Sequence, residues 1–563
     1  MPKTRIRFTK QAKRVFGYLF LAAVFAALAF APHFISALAF FFPIPLFRLA
    51  AKTPKINMLR KSIGYGFLLG LFIDILAYHW LIHTMMVFGH LPWYGSIFFF
   101  VAYAFITSFR FMIFFLLLFL RPFFRRKLAT KNRNLKWLLT LTTFPIYVTF
   151  AWVLAEWLGW QLFPWHFGDL AGGNLVFIQF ADIFGIEGVS AILMLCSAWL
   201  YGLFLYFIRL QNASLFFKIQ RLSRTPAFVF LFITLIVTHL YGFFQYERWE
   251  QKSNEARKFT ALVPQPNAPL AFSHLKTYAQ YQSMMQNLVD TVVEQTRQLY
   301  YDAVLAGVYP DIIVWPESAV PFQSYETSLY FRSRVQELLQ ETNIPILLND
   351  VSKEKGKAFS AMSFVNPDGQ VAAKYYKIYL LPFGEMIPLG DKFPKLYEWF
   401  PEISDFSSGN AYVLFPSKEY FLLPVICYEV IQSEFIREFF SDTQKKANVL
   451  INITNDRWFG KSIESYQHLQ LARIRAIELR RSLIRATNSG VSAMVYPSGK
   501  QMGLTPLFEK AKRIYTVPLI EKENTFFSVW GAWPLRLISF LYFLLLALLS
   551  IGIRDMVKRR ISE

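Results

Sequence analysis

Two cysteines, Cys196 and Cys427, are all that 563 residues contain. Cys196 lies within an apolar run (AILMLCSAWL), so pairing with a cysteine outside that run is disfavoured. Two thiols build neither a disulfide framework nor a cysteine-based zinc site. The eight histidines show no metal-ligand spacing. No cofactor is called for, and no metal. Charged residues are scarce at 17%, against about 25% in an ordinary soluble domain. No signal-peptide cleavage pattern is evident, and no internal repeat of the kind that marks many transporters.

What the chain has in abundance is apolar surface: 55% hydrophobic residues and 18% aromatics. A membrane-crossing helix needs about 20 largely apolar residues. Candidate spans fall at roughly 15–33, 34–50, 62–84, 96–120, 136–157, 186–208, 226–244 and 534–553, about eight in all. The first is too long for a signal-peptide core. A more polar segment, about 248–528, separates the seventh from the eighth. The chain therefore divides into 1–247 with seven spans, 248–528, and 529–563 with a last span and basic tail.

The net charge of +22 would suit a nucleic-acid partner if it were spread over a surface. It is not. Lys and Arg cluster in the first fourteen residues, in alternate loops after the second, fourth and sixth spans, and in the tail. Those segments hold 26 cations and two acids, Asp555 and Glu563, a surplus larger than that of the whole chain. The intervening loops near 85–95 and 158–185 hold no Lys or Arg. This is a topology signal, and it removes the nucleic-acid reading. It implies cytoplasmic termini and a large polar segment on the opposite face. Asp74, His79 and Arg110 lie within the spans, where polar groups are costly; pairing inside the helix bundle is expected of them.

In the polar segment, short β-rich runs stand at 259–263, 311–315, 344–350, 421–428 and 447–454. Helical stretches lie between them, including 281–306 and 464–485. Such alternation implies an α/β domain around a buried sheet. Two further strand pairs flank the turns Asn366-Pro367-Asp368-Gly369 and Pro497-Ser498-Gly499. Three apolar strands run into chemically capable residues: Pro316-Glu317-Ser318, Cys427-Tyr428-Glu429 and Asn455-Asp456-Arg457-Trp458. Strand ends of an α/β sheet can converge on one crevice. Taken singly, each residue has an ordinary explanation. A lone cysteine is usually a small buried hydrophobe, Glu317 a surface carboxylate, and Lys377 a solvated strand lysine.

In combination they resemble the nitrilase superfamily. WPES, then YKxxLxPFGE, then a strand ending in CYE, then TNDxWF occur here in that order. The resemblance matches Glu317, Lys377 and Cys427 to that superfamily's Glu–Lys–Cys triad and Glu385 to its second glutamate. It implies an αββα sandwich. The flanking spans are similar to one membrane-embedded branch, the apolipoprotein N-acyltransferases. Ala29-Phe30-Ala31-Pro32, Phe88-Gly89, Leu91-Pro92 and the run from Phe184 to Ser190 carry that likeness. One departure stands out: Gln265-Pro266-Asn267 matches the family's Gln-x-Asn, yet no tryptophan follows it before Trp315.

The resemblance implies a chemistry. Glu317 would act as general base for the Cys427 thiol, and Lys377 would stabilise the oxyanion. Glu385 would orient Lys377, with Tyr428 and Glu429 in support. Trp458 would cover the acyl chain, or else simply pack its loop; Asn455 is a second candidate for substrate contact. Trp399-Phe400 and 411–415 would form flaps over a lipid entrance or ordinary core. The donor would be a glycerophospholipid and the acceptor the amine of an S-diacylglyceryl cysteine on an apolipoprotein. The enzyme would sit in the bacterial inner membrane with its catalytic segment in the periplasm. Two other readings remain open at this stage: a membrane-tethered amidase or hydrolase using the same triad, and a non-enzymatic transporter or scaffold.

Overall fold

A computed structural model describes residues 10–125, 133–212, 214–270, 277–400, 403–443, 446–521 and 523–562. Of the charges counted above, Lys3, Arg5, Arg7, Arg126, Lys127, Lys131 and Glu563 lie outside the described residues. The chain forms two compact units. One comprises Met1–His79, Phe98–Phe243 and Trp530–Glu563; the other comprises Trp80–Ile97 and Phe244–Val529.

The first unit is helical. Among the described residues, Lys10–Ala29, Phe177–Arg209 and Pro226–Glu255 are each long and apolar enough to cross a membrane. Two bent pairs bring the number to as many as five: Met58–Ala77 with Trp80–Val87, at 72°, and Trp93–Thr107 with Phe109–Arg121, at 42°. Thr143–Leu158 and Trp533–Leu549 are shorter apolar helices. Residues 34–50 do not make one continuous α-helix. A 3-10 turn, Ser36–Phe41, gives way to a ten-residue helix, Pro43–Lys52. Pro43 and Pro45 lack the N–H that would bond back into a preceding turn, so the helix starts afresh there.

Several buried polar groups within this unit find partners, as burial favours. Thr107 Oγ1 donates to Asp74 at 3.0 Å, and Arg110 Nη1 donates to the Trp165 carbonyl at 2.6 Å. Arg536 Nε donates to Glu187 at 3.0 Å. His79 departs from expectation: it is exposed at the 72° break rather than paired inside the bundle.

Among the described residues, the second unit holds twelve strands in two six-stranded sheets. They are β1 (Lys258–Gln265), β2 (Ile312–Val314), β3 (Ile346–Glu354), β4 (Lys357–Val365), β5 (Val371–Tyr376), β6 (Phe415–Ser417), β7 (Tyr420–Ile426), β8 (Val449–Thr454), β9 (Ser482–Thr487), β10 (Ala493–Val495), β11 (Gln501–Met502) and β12 (Ala511–Pro518). The sheet orders are β12-β1-β2-β3-β4-β5 and β11-β10-β9-β8-β7-β6. Each sheet has three parallel strands at its centre, one antiparallel strand on one side and two on the other. The two sheets thus repeat one plan.

The sheets face each other. Phe364 of β4 stacks on Phe415 of β6, Phe259 of β1 meets Tyr420 of β7, and Ser482 of β9 donates to the Pro518 carbonyl of β12 at 2.6 Å. On the outer face of the first sheet, helices Tyr278–Leu305 and Leu329–Thr342 bury Val289, Val292, Val335 and Leu338 against Leu262, Ile313 and Ile346. Helix Glu464–Leu479 packs on β9 and on the turn that follows β7. The result is a helix–sheet–sheet–helix sandwich.

The expected strands at 259–263, 311–315, 344–350, 421–428 and 447–454 appear as β1, β2, β3, β7 and β8, and both turn-flanking pairs form, as β4–β5 and β10–β11. The helix expected over 464–485 is shorter. It ends at Leu479 because Arg480 turns left-handed at φ +50°, and Ser482–Thr487 is strand β9. β9 lies between β8 and β10 with all six residues buried. Phe415 belongs to the core, whereas Trp399 is 70% exposed.

Candidate active site

Cys427 begins the 3-10 turn Cys427–Ile431 directly after β7. Its φ of +49° is left-handed, a conformation that costs a non-glycine residue about 1–2 kcal/mol and that persists where the surroundings impose it. The sharp turn lifts the side chain away from the strand's alternating pattern. There it lies against the Glu317 carboxyl and the Thr454 hydroxyl, which stands at the end of neighbouring β8.

Lys377 follows β5 and is 1% exposed. Its Nζ lies 2.7 Å from Glu385 Oε1 and 3.6 Å from Glu317 Oε1. Glu385 is held in turn by the Leu381 backbone N–H, which donates to its other oxygen at 2.8 Å. Glu317 follows β2 and is 6% exposed; the next residue, Ser318, also adopts positive φ and donates its N–H to Asn349 at 3.1 Å. The ends of β2, β5 and β7 and the loop after β5, from both sheets, thus bring the expected residues Glu317, Lys377, Cys427 and Glu385 together, with Thr454 at the end of β8 beside them.

Glu429 joins two of these strand ends. One of its oxygens accepts the Ile426 N–H at 2.8 Å. The other accepts the Tyr375 hydroxyl at 2.7 Å and the N–H groups of Ile378 and Tyr379 at 2.7 and 3.1 Å. It therefore ties the Cys427 turn to the segment that carries Lys377. Tyr428 is buried beside it and lies against Gln432.

The electrostatics follow from burial around one lysine. Burial and then Glu317 raise the Cys427 thiol well above its ordinary value, against the pull of Lys377 and Thr454. Burial likewise raises Glu317; Lys377 opposes this and Glu385 adds to it. Burial alone would lower Lys377, but Glu385 and Glu317 outweigh it and keep the ammonium charged. Burial brings Glu429 up to about 7 despite Lys377 and its four donors. The resting thiol is thus neutral, and beside it stand a carboxyl with raised proton affinity and a fixed cation. Such a group can deprotonate a thiol for attack on an acyl carbon and stabilise the oxyanion that forms.

Asn455 and Trp458, the two residues expected to contact substrate, lie on the 3-10 turn after β8, Asp456–Phe459. Asn455 is fully buried and caps that turn, accepting the Arg457 N–H at 3.2 Å. Among the described residues its Nδ2 has no hydrogen-bond partner. Trp458 is half-buried. Its carbonyl accepts the Thr84 hydroxyl at 2.9 Å, and its ring lies 4.8 Å from that of Phe88. Trp80 packs on Phe459, also at 4.8 Å, and donates to Gln467 at 3.1 Å.

Thr454 and Asp456 belong to the TNDxWF motif, but the sequence assigned neither a role and did not point to the ion cluster behind the turn. There Arg485 of β9 donates to both oxygens of Asp456, at 3.0 and 2.8 Å, and His468 lies 3.1 Å from Asp456 and 3.4 Å from Glu464. Ligand atoms of Asp456, Glu464 and His468 fall within 4.8 Å of one another. The Arg485 guanidinium already occupies the place where a cation would meet Asp456. The one local signal was an arginine inside the otherwise uncharged run SLIRAT.

Known proteins share both parts of this chain. Residues 276–521 match the carbon-nitrogen hydrolase family, and residues 22–199 match the apolipoprotein N-acyltransferase N-terminal domain. "Apolipoprotein N-acyltransferase 2" of Leptospira interrogans is 27% identical over 96% of both chains. The protein of that name from Treponema denticola is 31% identical over 70% of this chain and 74% of its own. Among solved structures, an amidase from Nesterenkonia sp. aligns over 46% of this chain and 90% of its own, at 17% identity and a TM-score of 0.33. With a nitrilase-like domain, an N-terminal region that matches the family's own and relatives matched along most of its length, the chain belongs to the apolipoprotein N-acyltransferase family.

Proposed function

We propose that the protein transfers an acyl chain from a glycerophospholipid to the N-terminal amine of an S-diacylglyceryl cysteine on an apolipoprotein, through a thioester on Cys427. The observation that carries this reading is the buried grouping of Cys427, Glu317 and Lys377, with Glu385 anchoring the lysine. Glu317 takes the thiol proton as sulfur attacks the ester carbonyl. Lys377, joined by the backbone N–H that follows Cys427, stabilises the tetrahedral oxyanion. Collapse releases a lysophospholipid, whose alkoxide takes the proton back from Glu317, and leaves the acyl group on sulfur. The acceptor amine then attacks the thioester, an amide forms, and the thiol is restored.

The family membership supports acyl transfer over hydrolysis by water. The family supports a bacterial inner-membrane protein, and the crowding of Lys and Arg into alternate short loops supports cytoplasmic termini with the catalytic segment on the opposite, periplasmic face.

The test is a mass measurement. Purified enzyme given phospholipid gains one acyl chain on Cys427, and an apolipopeptide amine removes it. N-acylation of the peptide by Cys427→Ala would overturn the mechanism.

A further inference from the structure

Arg457 stands between two residues with clear engagements. Asp456 is fully buried against Arg485, and Trp458 packs on Phe88. The Arg457 guanidinium has no such carboxylate. Among the described residues, its one side-chain hydrogen bond runs from Nη1 to Asn267 Oδ1, at 2.7 Å. Burial pulls its proton affinity down, and no carboxylate pulls it back up.

The cradle is built rather than incidental. Asn267 is held at φ +54°, with its N–H donating to the Asn488 carbonyl and its Nδ2 to the Phe508 carbonyl, both at 2.9 Å. The Phe508 ring lies 5.4 Å from the guanidinium, and the Phe508 N–H is anchored on the Ser489 carbonyl at 2.8 Å. A carboxamide oxygen and an aromatic face thus aim a cation without neutralising it. Arginine keeps its charge throughout the physiological range, and its fork of N–H donors matches a phosphate or a carboxylate. Lys377 and Arg485 nearby each have carboxylates; Arg457 is a half-buried cation with none among the described residues.

Position narrows the anion. Arg457 lies three residues beyond Thr454, which touches the Cys427 thiol, so about 11 Å of extended chain at most separates the two backbones. In a glycerophospholipid the acyl esters and the phosphate share a single three-carbon glycerol. A lipid gripped by its phosphate at this turn therefore presents an ester only a few bonds away.

We propose that Arg457 binds the phosphodiester of the donor lipid and so sets its preference for phospholipid over other acyl esters. This rests on the acyl-transfer reading above. The competing role is structural: Arg457 would merely tie the 265–268 stretch to the turn.

The experiment follows single-turnover acylation of Cys427 in the full-length enzyme, by intact mass, with two donors. One is phosphatidylethanolamine; the other is p-nitrophenyl octanoate, an acyl ester without phosphate. Arg457→Gln should slow acylation by the phospholipid about tenfold or more, through apparent KM, and leave the p-nitrophenyl ester within roughly twofold. Arg457→Lys should recover part of the loss. Equal slowing with both donors, or with neither, overturns the proposal. So does unchanged acylation combined with slower release to an apolipopeptide, which would assign the cation to the acceptor. If the wild-type thiol gains no acyl group from phospholipid but does from the p-nitrophenyl ester, the acyl-transfer reading itself falls, and this proposal with it.

Discussion

Lys377 sits 2.7 Å from Glu385 but 3.6 Å from Glu317. The closer carboxylate is also the one fixed by a backbone N–H, from Leu381. Glu385 is therefore the anchor of the ammonium, and Glu317 keeps a looser hold that suits a group exchanging a proton with Cys427.

Removing the anchor should cost rate more than binding. Glu385→Gln keeps the shape but loses the charge that holds Lys377, so the oxyanion loses a well-placed cation. The expected effect is a fall of about tenfold to a hundredfold in kcat, with KM little changed. Lys377→Met should be more severe, at about 10²–10³. Steady-state acylation of an apolipopeptide measures both.

The acid limb of thioester formation should lie above the ordinary carboxylate value of about 4.3. Glu317 must be ionised to take the proton, and burial raises its affinity for one, so activity is lost as pH falls through that raised value. In Glu385→Gln the second carboxylate is gone and Lys377 is free to favour Glu317. Both changes stabilise ionised Glu317, and the limb should move to lower pH even as the maximum rate falls. Pre-steady-state acylation across pH reads the midpoint. A limb that stays in place would sink the assignment of Glu317 as base.

Glu429 accepts three backbone N–H groups and one hydroxyl. In Glu429→Gln an amide NH2 must face at least one of those N–H donors, leaving buried donors unmet. A stability loss of about 1–3 kcal/mol is expected, with slower thioester formation, because the Cys427 turn and the Lys377 segment lose their shared clasp. Thermal unfolding and intact mass measure the two effects separately.

Asp456, with burial opposed chiefly by Arg485, is held down at about 2. A depressed carboxylate stabilises the fold above its unfolded value of about 3.9, and that contribution is lost as pH falls through the folded value. Asp456→Asn leaves Arg485 buried without its counter-ion and should cost about 3–5 kcal/mol near neutrality. The gap between wild type and variant should close as pH approaches about 2. Denaturation at a series of pH values checks the sign; a gap constant with pH would refute it.

Much of the site could be read in the chain because each part is locally written. Glu317, Lys377, Glu385 and Cys427 lie in short motifs at strand ends, and a strand announces itself by a few consecutive Val, Ile and Leu residues. The stretch 464–485 is less legible, because it holds a helix and then a strand. Arg480 gives no local warning that it will turn left-handed, and SLIRAT resembles a helical turn until β8 and β10 close on both sides of it. The stretch 34–50 is broken for the opposite reason: its apolar content suits a span, but Pro43 and Pro45 interrupt the helix.

By itself, the sequence determined which stretches avoid water, which loops carry the positive charge, and which residues with capable chemistry stand at the ends of apolar strands. These are properties of neighbours along the chain. Only the tertiary structure decided that Glu429 clasps Tyr375 and Ile378, that Arg485 meets Asp456, and that Asn267 aims Arg457. Those partners are 29 to 190 positions apart. Contacts at that separation leave no periodicity or spacing in the chain; they exist once two sheets have packed and burial has forced each polar group to find its partner.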